Sequence, residues 1–315
     1  VKRPASGSAA ADAPAVIIQT HLDMVCEKNS DSSHDWKTDA ITTTVRDGWL
    51  VADETTLGSD NGIGVAMALA LMESPSGAAL PPLEFVFTVE EETGLYGAER
   101  LDVSLLRGRR LLNFDSEESG FIYIGCAGGG DAIVSLPVES TPLAPPMRSH
   151  RLSLTGLRGG HSGADIHEYH GNAVVLLARA VAELQRAVPG LRLVDLAGGD
   201  KDNAIPRESY AVVGMGADDM PEVSRVLPSI EADIRAEYGR IDPDLSLHFA
   251  SEPLGDVVAS PLSVTSATRL LDLLLGLPNG VIKKSHETAD FMVETSNNVA
   301  KVARVAPDRF EVLCF

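Results

Sequence analysis

Residues 15–23 read Ala-Val-Ile-Ile-Gln-Thr-His-Leu-Asp. A β-branched apolar run that ends in polar side chains is the pattern of a buried strand delivering functional groups at its C-terminal tip. His21 and Asp23 stand two residues apart, so along an extended strand both side chains leave on the same side. An imidazole that ligates a metal commonly gives its other ring nitrogen to a carboxylate, which fixes the tautomer. His-x-Asp also occurs by chance, and its meaning depends on what the neighbouring segments bring to it.

Downstream, the same arrangement recurs. Residues 41–51 read as a hairpin turning at Asp47-Gly48, where the tight turn needs positive φ values. Residues 55–64 form a Gly-rich loop holding Asp60, and an Ala/Leu-rich helix follows over 65–73. The Asp60 carboxylate suits helix capping and metal binding equally. Residues 83–89 have strand character and end in Glu90-Glu91-Glu92, three carboxylates that repel one another. Because adjacent residues leave a strand end on opposite sides, one of them can hold a metal while its neighbour acts as a base. After a short helix, residues 110–114 form another strand that ends at Asp115, with Glu117 and Glu118 just beyond. For Asp115 a turn or capping role stays open.

Strand, helix and strand in alternation define an α/β layered domain, in which ligands collect outside the carboxyl ends of the strands. His21, Asp60, Glu91, Glu92 and Asp115 all fall there. Imidazole and carboxylate together are a donor set for zinc, and paired metals share a bridging group.

Composition narrows the field. Among 315 residues, 44% are hydrophobic and 5% aromatic, as in a globular protein with an aliphatic core. The net charge of -19, from 45 acidic and 26 basic residues, argues against nucleic-acid binding. The apolar runs are too short, or too interrupted by charge, to span a bilayer. Cys26, Cys126 and Cys314 are scattered without a CxxC spacing, which argues against a thiolate site or a disulfide framework and for a reducing, cytoplasmic setting.

A proline-rich stretch at 141–147 suggests a linker, dividing the chain into domains 1–145 and 146–315. The second part has an α+β rhythm. A strand covers 150–157, Gly-Gly-His-Ser-Gly follows at 159–163, and a helix runs over 172–185. Strands at 191–196 and 210–214 and a helix over 262–275 complete it. His167 and His170 have a spacing compatible with a metal pair, and we read them as ordinary helix-face histidines.

Taken together, the motifs resemble the M20 family of dinuclear zinc peptidases, and more closely its aminoacyl-histidine dipeptidases. HLDMV (21–25), TTLGSDNGIG (55–64), NFDSEESG (113–120), GCAGG (125–129), GGHSG (159–163), NAIPRE (203–208), PNGVI (278–282) and VETSNNV (293–299) carry the likeness. The resemblance implies a zinc-peptidase-like catalytic layer, a mixed sheet flanked by helices, with an inserted α+β lid and dimerisation domain. It implies two divalent ions, zinc expected and manganese or cobalt as alternatives. Asp60 would bridge them, His21 and Asp115 would hold one, and Glu92 the other. Asp23 would orient His21, and Glu91 would be the general base. His161 and Asn203 would contact the substrate, a small unblocked dipeptide, Xaa-His being one candidate. A homodimer is the expected assembly.

The family's second metal also takes a histidine that no residue here matches; His248 and His286 are not promoted to that role. That ligand is expected beyond Phe315. The start at Val1 and the apolar end at residues 311–315 read as those of a piece of a longer polypeptide, expected to be poorly active by itself. The alternatives are an aminoacylase or carboxypeptidase of the same family, and a non-catalytic relative that keeps the fold.

Overall fold

The computed structural model describes the chain from Val1 to Phe315 except residues 10, 11, 30, 31, 76, 117, 143–146, 251–259 and 287–291. Glu117, most of the proline-rich stretch and the residues after His286 therefore lie outside the described residues. The chain divides into two compact units, Val1–Gly125 and Cys126–Phe315.

In the first unit, β1 is Lys2–Arg3, β2 is Val16–His21, and β3 (Thr43–Arg46) pairs with β4 (Trp49–Ala52) as a hairpin. Asp47 and Gly48 turn it with φ of 53° and 83°, as the Asp-Gly reading requires. Helix α1 covers Ser59–Met72, β5 Leu83–Thr88, α2 Tyr96–Glu99 and β6 Arg110–Asn113. The main sheet runs β1-β5-β2-β6. β2 lies between β5 and β6 and is parallel to both, while β1 adds an antiparallel edge. The carboxyl ends of β2, β5 and β6 therefore share one edge. Ile18, Leu83, Phe85 and Ala68 of α1 form a small buried core beneath that edge.

In the second unit, β7 is Ala132–Pro137, β8 Arg148–Thr155, α3 Ala173–Ala187, β9 Arg192–Gly198 and β10 Ser209–Met215. There follow α4 (Met220–Tyr238), β11 (Ser246–Phe249), α5 (Val264–Gly276), β12 (Gly280–Lys284), β13 (Val293–Asn297), β14 (Val299–Ala306) and β15 (Arg309–Cys314). Seven strands make one antiparallel sheet in the order β11-β8-β10-β9-β14-β15-β7, and β12 pairs with β13. Helix α3 packs on this sheet and against α4 and α5. Its start is capped by Asn172, whose side chain accepts from the N–H groups of Val174 and Val175. Leu152, Leu177, Leu184, Leu193, Leu196 and Phe310 are among its fully buried side chains.

The terminal apolar run is β15, with β14 on one side and β7 on the other. Two findings differ from the sequence reading. The units divide at Gly125, not at 145, because β7 joins the second sheet by pairing with β15 along its length. Helix α4, absent from the sequence reading, carries Pro228 in its interior. A proline there removes a ladder hydrogen bond, and burial of Val223, Ile230 and Ile234 holds the helix nonetheless.

Candidate metal centre

His21 closes β2 with its side chain 1% exposed. Its Nε2 stands 2.9 Å from Asp60 Oδ1 and 3.5 Å from Asp115 Oδ1. On the other side of the ring, Nδ1 donates to the main-chain carbonyl of Asp23 at 2.9 Å, with the Asp23 carboxylate at 3.5 Å. The Asp23 carboxylate accepts the Glu92 N–H at 3.1 Å, so it also pins the turn that follows β5.

Asp60 does not cap α1. Gly58 occupies the cap position with no side-chain cap bond, and Asp60 has extended backbone angles of -83° and 112°. Its carboxylate, half exposed, is turned to His21 instead. The capping alternative for Asp60 therefore falls. The Asp60–Asn61 peptide is cis. Asn61 is buried, and its Nδ2 donates to the Phe114 carbonyl at 2.7 Å and to the Asp115 carboxylate. Asn61 was not among the residues singled out from sequence, although its place beside Asp60 in the Asp-Asn-Gly loop was a signal. A Cβ on Gly64 would meet the Phe114 carbonyl at 2.2 Å, so only glycine lets α1 approach the end of β6 this closely.

Glu91 and Glu92 do not extend β5. The strand ends at Thr88, Glu90 takes a left-handed φ of 57°, and the Glu91 carbonyl accepts from Gly94 and Leu95 in a turn. The two side chains separate all the same. One oxygen of Glu92 lies within 4.8 Å of ligand atoms of His21 and Asp60. Glu91 lines a cavity of about 260 Å3 together with Asp115, Gln19, Thr88, Leu111 and Asn113.

Charge crowding marks the cluster. Burial raises the carboxyl pKa values of Glu91, Glu92 and Asp115, and neighbouring carboxylates push each further up. Burial alone would lower His21, but its bond to Asp60 and the charges of Asp115 and Glu91 raise it above its ordinary value. Asp23 runs the other way: burial works to raise it, and the N–H groups of Glu91 and Glu92 bring it below the usual range. Carboxylates gathered around one imidazole, with no lysine or arginine pairing them, suit a cation. His21, Asp60 and Glu92 are the metal-competent cluster among the described residues.

In the second unit, His161 and Asn203 stand on two loops joined by backbone bonds. Ser162 N–H donates to the Asn203 carbonyl and Ile205 N–H to the Gly160 carbonyl, both at 2.8 Å. Both residues are exposed. His167 and His170 do not form a metal pair, and neither sits on a regular helix face. His167 is in the one-turn 3-10 helix Ile166–Glu168. His170 follows it and turns Nδ1 to the Gly159 carbonyl and Nε2 to Glu168 at 3.0 Å.

The first unit thus sets His and carboxylates at the tips of its parallel strands, and the second is a helix-backed antiparallel sheet. Residues 152–242 match the M20 "Peptidase dimerisation domain" model. The second unit thus carries an M20 peptidase dimerisation domain. The chain is 38% identical to the cytosol non-specific dipeptidase of Escherichia coli (strain K12), over 100% of this chain and 63% of that protein. It also resembles the crystal structure of the aminoacylhistidine dipeptidase from Vibrio alginolyticus. That match has 35% identity and a TM-score of 0.74, covering 99% of this chain and 62% of that one. The chain thus spans somewhat less than two thirds of these relatives.

Proposed function

We propose that this protein hydrolyses the peptide bond of small unblocked dipeptides, Xaa-His among them, at a two-metal centre built on the first unit. The observation that carries this reading is the gathering of His21, Asp60 and Glu92 within 4.8 Å at one sheet edge, with Asp115 3.5 Å from the same imidazole. The printed names of the two relatives, both dipeptidases, support the substrate class. In this reading the unit Val1–Gly125 belongs to the catalytic domain and the unit Cys126–Phe315 to a lid and dimerisation domain.

Asp60 would be shared by the two cations, with His21 and Asp115 holding one and Glu92 the other. Two divalent ions, zinc first and manganese or cobalt as alternatives, would polarise the scissile carbonyl and acidify the attacking water. Glu91, lining the cavity beside Asp115, would act as general base toward the attacking water and pass the proton to the leaving amine. Asp23 and the carbonyl of the same residue fix the ring of His21. His161 and Asn203 meet the substrate.

No helix among the described residues is long and apolar enough to cross a membrane. The relative's name supports a cytoplasmic location, and the dimerisation-domain match supports a homodimer. The test is metal content with turnover of the full-length polypeptide. Two metals per chain and faster hydrolysis of Ala-His than of an N-acetyl amino acid are expected. Stoichiometry well below two, or a preference for the blocked substrate, overturns the reading.

A further inference from the structure

The loop that carries His161 contains more bonding than display of an exposed side chain needs. The N–H groups of Gly163 and Ala164 both point at His161 Nδ1, at 3.0 and 3.2 Å. A ring nitrogen that receives two N–H donors is a lone pair, so the proton of the neutral ring resides on Nε2. Asp165 ties off the same loop. Its Oδ2 accepts the His161 N–H at 2.8 Å, and its own N–H donates to the His161 carbonyl at 2.8 Å.

Gly160 and Gly163 each clear space for one of these contacts. A Cβ on Gly160, at φ of 137°, would lie 2.7 Å from Asp165 Oδ2. A Cβ on Gly163 would lie 3.2 Å from both Nδ1 and Cε1 of the His161 ring. From below, His170 Nδ1 donates to the Gly159 carbonyl, and buried Asp242 accepts the N–H groups of Arg158 and Gly171, each at 2.8 Å. The flanking residues Arg158 and Gly171 are therefore fastened to one buried carboxylate.

We infer that the loop over residues 159–165 is a tautomer lock, in which Asp165 is a positioning residue that keeps Nδ1 of His161 as the acceptor of two N–H groups and leaves Nε2–H for the substrate. The lock rests on the reading that His161 meets the substrate, but it has a signature of its own that needs no turnover. An imidazole free to exchange tautomers would present a lone pair part of the time, and a lone pair repels a carbonyl oxygen.

The test uses the 315-residue chain labelled with 15N-histidine, with His161 assigned by the resonance lost in His161→Asn. Long-range proton–nitrogen correlation should place Nδ1 in the unprotonated range and Nε2 in the protonated range. In Asp165→Ala both nitrogens should move toward the average of the two tautomers, and Asp165→Asn, which keeps an acceptor oxygen, should restore the wild-type positions. Gly163→Ala should shift them in the same direction as Asp165→Ala by displacing the ring. Under turnover, Asp165→Ala should lower kcat about tenfold, one hydrogen bond's share, with KM little changed. A wild-type ring protonated on Nδ1, or averaged, overturns the lock. So does an Asp165→Ala spectrum identical to wild type. Should Asp165→Ala fail to fold, the wild-type and Gly163→Ala spectra decide. A locked ring in a protein that hydrolyses no dipeptide sinks the proposed function and leaves the lock standing.

Discussion

The two units distribute their apolar side chains in opposite ways. In the second, α3 turns Val174, Leu177, Val181 and Leu184 onto the sheet with none of their surface exposed, and keeps its charged residues outside. In the first, α1 is apolar nearly all round, yet only Asn61, Gly64 and Ala68 of it are buried, and Ile63, Met67 and Leu69 are open to solvent. Leu111 and Leu112 of β6 are half exposed as well. An amphipathic helix on a full sheet and an all-apolar helix on a four-stranded one are different designs. The large buried core lies in the unit without the candidate metal ligands, and those candidates sit in the unit with the thin core.

That contrast can be broken by substitution. Glu91→Gln should lower turnover by about 10²–10⁴-fold, the span of general acid–base catalysis, while the melting of both units stays as it was. A matching loss of structure, read by near-ultraviolet circular dichroism, would mean that the two roles are not separated. Phe310→Ala, at a fully buried site of the second unit, should cost about 3–5 kcal/mol. Hydrogen exchange should register this across β14 and β15 and leave β2 and β5 unchanged.

Glu84→Gln tests the first unit's own anchor. This buried carboxylate accepts the N–H groups of Arg107 and Gly108 at 2.8 Å and pairs with Lys2 at 3.0 Å. Against the cost of burial, these partners bring its pKa from 4.5 to about 2. A carboxyl depressed on folding stabilises above its unfolded value and ceases to do so as pH falls through the folded one. Glu84→Gln should therefore cost about 1–3 kcal/mol at neutral pH, and the deficit should close as pH drops from 4.5 toward 2. Denaturant midpoints taken across that interval would show a parallel offset if the assignment is wrong. Ile18→Val, in the small core, should cost about 1 kcal/mol. Met67→Lys, on the outer flank of α1, should change stability by less than about 0.5 kcal/mol and measurably reduce binding of an apolar dye.

Sequence made the first unit's site legible because its residues punctuate apolar strands. His21, Asp115 and the Glu91–Glu92 pair each follow a run whose periodicity is plain, and Asp-Gly marks its hairpin. The unread parts depend on partners distant in the chain. β7 is six unremarkable residues until β15 pairs with it, and so the boundary at Gly125 had no local sign. α4 was hidden by Pro228, whose local propensity opposes the helix that packing stabilises. Asn61 donates to Asp115 from 54 positions away, a contact that no spacing rule encodes.

The pairing of β7 with β15 also sets a schedule. β7 is the first strand of its sheet to leave the ribosome, and its partner β15 follows all the other strands of that sheet. At about 5–20 residues per second the wait is roughly 10–35 seconds, during which Ile133, Val134 and Leu136 have no strand beside them. Contacts this far apart in sequence form slowly even in the finished chain. For a nascent polypeptide, the edge most in need of a chaperone is therefore the one synthesised first.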